Sequence, residues 1–185
     1  MRRAWLGAGV AVVAPSAVLA DTVYLKESDA PRELFPEATT WEPMALELTP
    51  AELARLSKSL GAEVKQRRYR CLALWRGEVA VGWILVFDVQ AQTTAISFAV
   101  GVAHDETLRD VQVMVYREPR GAEIRDRRFR RQFFGKRLTD ALRLGDDVQA
   151  VSGATISSRS ATYAARKGLA LAAIMKSRSA AGGGR

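Results

Sequence analysis

Between residues 63 and 116 one apolar, β-branched run follows another, with no room for a helix between them. Residues 69–75 and 79–86 flank Arg76-Gly77, which has the composition of a hairpin turn. Residues 93–102 and 108–116 flank a second turn around His104, and Val111, Val113 and Val115 alternate along the last run. Parallel strands need a crossover on the order of a dozen residues, so these runs can pair only with antiparallel neighbours. That argues against a doubly wound nucleotide fold. The sequence also lacks a Gly-x-Gly-x-x-Gly stretch and a Walker-type phosphate loop. Residues 41–47 add a further strand. Thr49-Pro50-Ala51-Glu52 then starts a helix with an N-cap, a proline at its first position and a capping-box glutamate, and Gly61 stops it. The expected fold is α+β: a twisted antiparallel sheet packed with helices, on one face and at its edge, in a single domain.

The two ends lie outside that domain. Residues 1–20 read as a secretory signal peptide: Arg2 and Arg3, a short apolar run, and Val18-Leu19-Ala20 as a cleavage site before Asp21. The apolar run is too short to span a bilayer comfortably, so cleavage is favoured over an uncleaved anchor. An extracytoplasmic, periplasmic location follows. The folded domain is expected over 21–176, with a Ser/Ala/Gly-rich disordered tail over 177–185. The chain has one cysteine, Cys71, and one histidine, His104. It therefore has no haem-attachment or iron–sulfur framework, and a protein-built metal site or Cys–His pair is not expected. Redox chemistry would have to come from a bound organic cofactor.

The most informative stretch is Val151-Ser152-Gly153-Ala154-Thr155-Ile156-Ser157-Ser158, which leads from a polar approach into an alanine-rich helix over about 158–175. Hydroxyls and backbone N–H groups gathered at a helix start favour an anion, above all a phosphate. The same composition also describes an ordinary N-cap.

Ser152-Gly153-Ala154-Thr155, followed by Ile156-Ser157-Ser158, resembles the attachment motif of the FMN-binding domain family. That family includes the G subunit of Rnf-type complexes and the C subunit of the sodium-pumping NADH:quinone oxidoreductase. Glu118, Gly121, Phe129, Gln132, Phe133, Gly135 and Lys136 match the family's preceding motifs in kind and order, although Pro119 directly follows Glu118. The resemblance covers about 69–175. It implies FMN joined covalently to Thr155 by a phosphoester. Ser152, Gly153, Ala154 and Ser157, with Glu118 and Gly121, complete the cofactor-binding set, and Ser157 or Ser158 is expected to cap the helix near the phosphate. It further implies a flavin transferase for maturation and redox partners at the membrane. The family usually has an Asp three residues before the Ser, where this chain has Gln149; Asp147 lies two residues earlier.

No catalytic acid–base set is visible, so an electron carrier is the leading expectation. The alternatives are a periplasmic flavin-dependent reductase of a small acceptor, or a non-redox interaction module that has lost flavinylation. The chain carries a formal charge of +8 and a basic cluster at Arg125, Arg127, Arg128, Arg130, Arg131, Lys136 and Arg137. An exported protein meets little nucleic acid, so none is expected as a partner. The cluster is either a solvated face or a surface for the flavin phosphate, an acidic partner or anionic headgroups.

Overall fold

The computed structural model describes residues 21–182; the expected signal peptide lies outside them. Six strands form one antiparallel sheet: β1 (Thr22–Val23), β2 (Thr40–Glu47), β3 (Arg68–Arg76), β4 (Val79–Gln90), β5 (Ala95–Ala103) and β6 (Leu108–Tyr116), in the order β1-β6-β5-β4-β3-β2. The expected hairpins are present. Leu72 pairs with Ile84 and Val100 with Val111. The α+β, single-domain architecture expected from the sequence is the one found.

Side-chain alternation divides the core in two. Tyr69, Cys71, Leu85, Phe87, Phe98, Val100, Val111 and Val113 face the larger cluster, beneath α2 (Pro50–Leu60) and α4 (Thr155–Gly182). Leu72, Leu74, Ile84, Val86, Ala99 and Met114 point the other way, toward α1 (Ala30–Leu34) and Phe35. Helices therefore cover both faces, not one. The strands explain this, since their centres are apolar at consecutive positions and each face needs cover. α2 begins and ends as its sequence requires, with the Thr49/Glu52 capping box and a left-handed Gly61.

α4 differs from expectation at both ends. It starts at Thr155 rather than near Ser158, because Ser158 N already donates to Ala154 O at 2.8 Å. It also continues past Met175 to Gly182, into the segment expected to be disordered. The cause is tertiary. Arg178 donates through Nε to Glu52 at 2.8 Å and through its terminal nitrogen to the Glu47 carbonyl at 2.7 Å. Glu52, almost buried, is held down to about 2 by Arg178, with burial opposing and Thr49 adding to the shift. Midway along α4, Gly168 lets the helix press onto β5: a Cβ there would stand 2.4 Å from Val100 Cγ1. That close approach fixes the depth at which the N-terminus of α4 sits.

Candidate functional site

The start of α4 meets the end of β6, and one side chain joins them. The Tyr116 hydroxyl donates to the carbonyl of Arg120 at 2.5 Å and shares a hydrogen bond of 2.8 Å with Ser157 Oγ. Burial pushes the Tyr116 phenol up, opposed by the Ser157 hydrogen bond, so it stays a neutral donor. Gly121 has φ +95°, and a Cβ there would lie 2.5 Å from Ser157 Oγ and 2.8 Å from Tyr116 OH. Only glycine fits. Gly121 thus lets the two chain segments close.

A hollow of about 330 Å³ opens beside this junction, lined by Gln92, Glu118, Arg120, Gly153, Ala154 and Thr155, with Ile156 and Ser157. Such a volume lies toward the low end of ligand pockets, roughly 300–1,000 Å³. Thr155 is exposed at the first residue of α4, while Ala154 beside it is buried. Ser152 and Gly153 form an exposed turn, Gly153 at φ +77°. The structure therefore brings Thr155, Gly153, Ala154, Ser157 and Glu118 together around the hollow, with Ser152 beside it.

The hydroxyls divide their work differently from expectation. Ser157 is 4 % exposed and bonded to Tyr116, so its oxygen serves the junction. Ser158 accepts from Val151 N at 3.1 Å and closes the turn before the helix. Both lie inside the first turn, because the helix starts earlier than expected. Glu118 is likewise engaged: its carboxylate accepts from the backbone N–H groups of Thr93 (2.8 Å) and Thr94 (2.7 Å) and from both threonine hydroxyls. Burial pushes this carboxyl up, but those bonds outweigh it and the net displacement is downward. Glu118 ties the β4–β5 turn to the hollow as an anion already satisfied. Among the described residues Arg120 is the one cation lining the hollow, and no carboxylate pairs with it.

The approach to the turn is held with equal care. Gln132 uses both ends of its amide on the backbone of Gln149: Oε1 accepts from its N–H at 2.7 Å, and Nε2 donates to its carbonyl at 3.2 Å. The Gln149 side chain is exposed. Asp147 accepts from Lys136 Nζ at 2.7 Å, from Arg143 N at 2.9 Å and from Leu142 N at 3.1 Å. Burial pushes its carboxyl up, yet the Lys136 bond and the two backbone N–H groups bring it to about 2. Leu142, buried with φ +42°, is held in that loop by the Asp147 bond. Sequence reasoning missed Tyr116, Arg120 and Gln92 as site residues. Tyr116 closing a strand just before Glu118-Pro119-Arg120-Gly121 was the available signal.

What the arrangement can hold follows from its donors. An exposed hydroxyl at a helix start, an unpaired guanidinium and an open mouth suit a phosphate-bearing group beside Thr155. The residues present fit FMN.

Comparisons with known proteins bear on the fold and on the family resemblance. Residues 93–170 match the family model described as the FMN-binding domain, a span that begins at the Glu118-bound Thr93 and includes Thr155. The structure of NqrC from Shewanella oneidensis superposes with a TM-score of 0.56 at 18% identity, covering 81% of this chain and 88% of that one. Comparison with curated proteins yields no match. The resemblance drawn from Ser152-Gly153-Ala154-Thr155 thus holds: residues 93–170 of this chain match the model of the FMN-binding domain family.

Proposed function

We propose that this protein is an exported electron-transfer flavoprotein that carries FMN on Thr155 and exchanges electrons with a redox partner at the membrane or in the periplasm. The observation that carries this reading is the pairing of an exposed Thr155 with Arg120, the unpartnered cation of the hollow, inside the segment matched by the family. The bond would form between Thr155 Oγ1 and the FMN phosphorus. A flavin transferase would use an FAD donor, whose phosphoanhydride breaks to release AMP. Bound FMN supplies one- and two-electron chemistry. The protein's own residues have the supporting roles. Arg120 offsets the remaining phosphate charge, Tyr116 and Ser157 fix the loop against the helix, and Glu118 keeps the β4–β5 turn closed beside them. A covalent link suits a carrier outside the cytoplasm, where a dissociating flavin would be lost.

Intact mass tests this directly, on chain exported from a host with an active flavin transferase. The expected result is a mass gain equal to FMN minus one water, absent in Thr155→Ala. An unmodified, colourless protein, beside a control substrate that is flavinylated, would sink the reading. Gln149→Asp would then show whether the position usually occupied by Asp is responsible.

A further inference from the structure

A second concavity, larger than the hollow beside Thr155, lies elsewhere among the described residues. A pocket of about 500 Å³ lies against β6 and the short helix α3 (Arg127–Arg130), lined by Arg109, Asp110, Arg127, Arg130, Arg131 and Phe134. It shares no lining residue with the hollow.

Its charges are unevenly used. Arg130 pairs with Asp110 and also donates from Nε to the Arg125 carbonyl at 2.9 Å, while Arg109 pairs with Glu37 at 2.7 Å. Arg127 and Arg131 have no carboxylate partner among the described residues. The bond from Arg131 N to Arg127 O places them one helical turn apart. Like charges at that spacing oppose helix formation, and a four-residue helix carrying three arginines has little to offset them. Folding does not require them, because Phe129 and Phe133, edge-to-face at 5.3 Å and buried, already anchor the segment. Next to these guanidiniums Phe134 is 65 % exposed, where its two neighbouring phenylalanines are in the core.

We propose that this pocket is a second anion site that takes a phosphate group through Arg127 and Arg131, with Phe134 packing on the apolar or aromatic part of the same ligand. A phosphate presents several oxygens around one centre and can engage more than one planar guanidinium fork. The side chain of Phe134 then has a use that solvent does not give it. The phosphate could come from a phospholipid headgroup or from a soluble nucleotide, and the same variants separate the two.

The experiment uses the full chain and its Thr155→Ala form. Binding is measured to phosphatidylcholine vesicles with and without phosphatidylglycerol, to AMP, and to polyglutamate as a carboxylate control. The expected result is salt-sensitive binding to one phosphate probe. Arg127→Gln/Arg131→Gln weakens it by roughly fivefold per arginine, Phe134→Ser weakens it, and the charge-matched Arg32→Gln/Arg76→Gln changes it little. Phosphatidylglycerol vesicles bound without AMP identify a headgroup site, and AMP bound without vesicles identifies a soluble ligand. Three outcomes overturn the proposal: no phosphate probe binds, polyglutamate binds better, or the control pair loses as much affinity as the Arg127/Arg131 pair. Loss in Arg120→Gln instead would place the anion in the flavin hollow and overturn it too.

Discussion

The hollow beside Thr155 and the pocket beside Arg127 are fed by the same short piece of chain, residues 116–136, yet they are built on opposite terms. Around the hollow the side chains that shape the backbone are answered: Tyr116 by Ser157 and the Arg120 carbonyl, Glu118 by Thr93 and Thr94, Gln132 by Gln149, Asp147 by Lys136. Among the described residues no buried side-chain nitrogen or oxygen lacks a partner. The basic pocket leaves two guanidiniums and an aromatic ring unanswered. The first arrangement fixes a geometry, because a satisfied network has few alternatives. The second leaves charge available at modest cost to the fold, because exposed charges are screened and hydrated.

That contrast predicts how each region responds to change. The largest loss is expected for Gly121→Ala, which forces a Cβ against Ser157 and Tyr116 at a positive φ. Overpacking and left-handed strain together cost roughly 3 kcal/mol. In calorimetry that is a fall in Tm of roughly 6–12 °C for a domain of this size. A Tm within about 2 °C of the parent would mean the junction is looser than its hydrogen bonds imply.

Asp147→Asn comes next. The Asp147 carboxyl is held at about 2, below its ordinary 3.8. Because the folded value is depressed, its contribution is complete above about pH 4 and disappears as pH falls toward about 2. The variant should be roughly 2 kcal/mol less stable at neutral pH. Its denaturant midpoint should lose part of the parent's acid dependence, the two converging near pH 2. Parallel midpoints across that window would assign the carboxylate no net role.

Tyr116→Phe keeps the ring and removes the oxygen that joins Arg120 to Ser157. A loss of roughly 1–1.5 kcal/mol is expected. Amide exchange should quicken at residues 118–121 and at the first turn of α4, and stay unchanged in β3. Arg127→Gln/Arg131→Gln should matter least for stability, within about 0.5 kcal/mol and in the stabilising direction. A large destabilisation there would erase the contrast between the two regions.

Much of this was legible beforehand. The hairpins were set by alternating apolar runs around short turns, and α2 by Thr49, Pro50, Glu52 and Gly61, all local in their physics. Residues 151–158 stood out because hydroxyls, a glycine and a long alanine-rich segment follow one another directly. The family resemblance implies Glu118 and Gly121 as cofactor contacts. The structure adds partners to both: the carboxylate of Glu118 is bound by a turn about 25 residues earlier in the chain, and Gly121 makes room for a serine in α4. Such partners are invisible to spacing, because loop closure brings together groups that carry no mutual signal in sequence.

The sequence alone determined the antiparallel pairing, the capped helix and the exclusion of a doubly wound fold. Each depends on periodicity or on neighbours a few residues apart, where backbone geometry leaves little choice. Tertiary structure decided the rest. The apolar centres of the strands drew α1 onto the second face, and Arg178 found Glu52 and held α4 in helix through its final turns. The Tyr116 hydroxyl met Ser157 at the mouth of the hollow, while Arg127 and Arg131 met no acid among the described residues. Which charges and hydroxyls are answered, and which are left for a ligand, depends on where the whole chain packs.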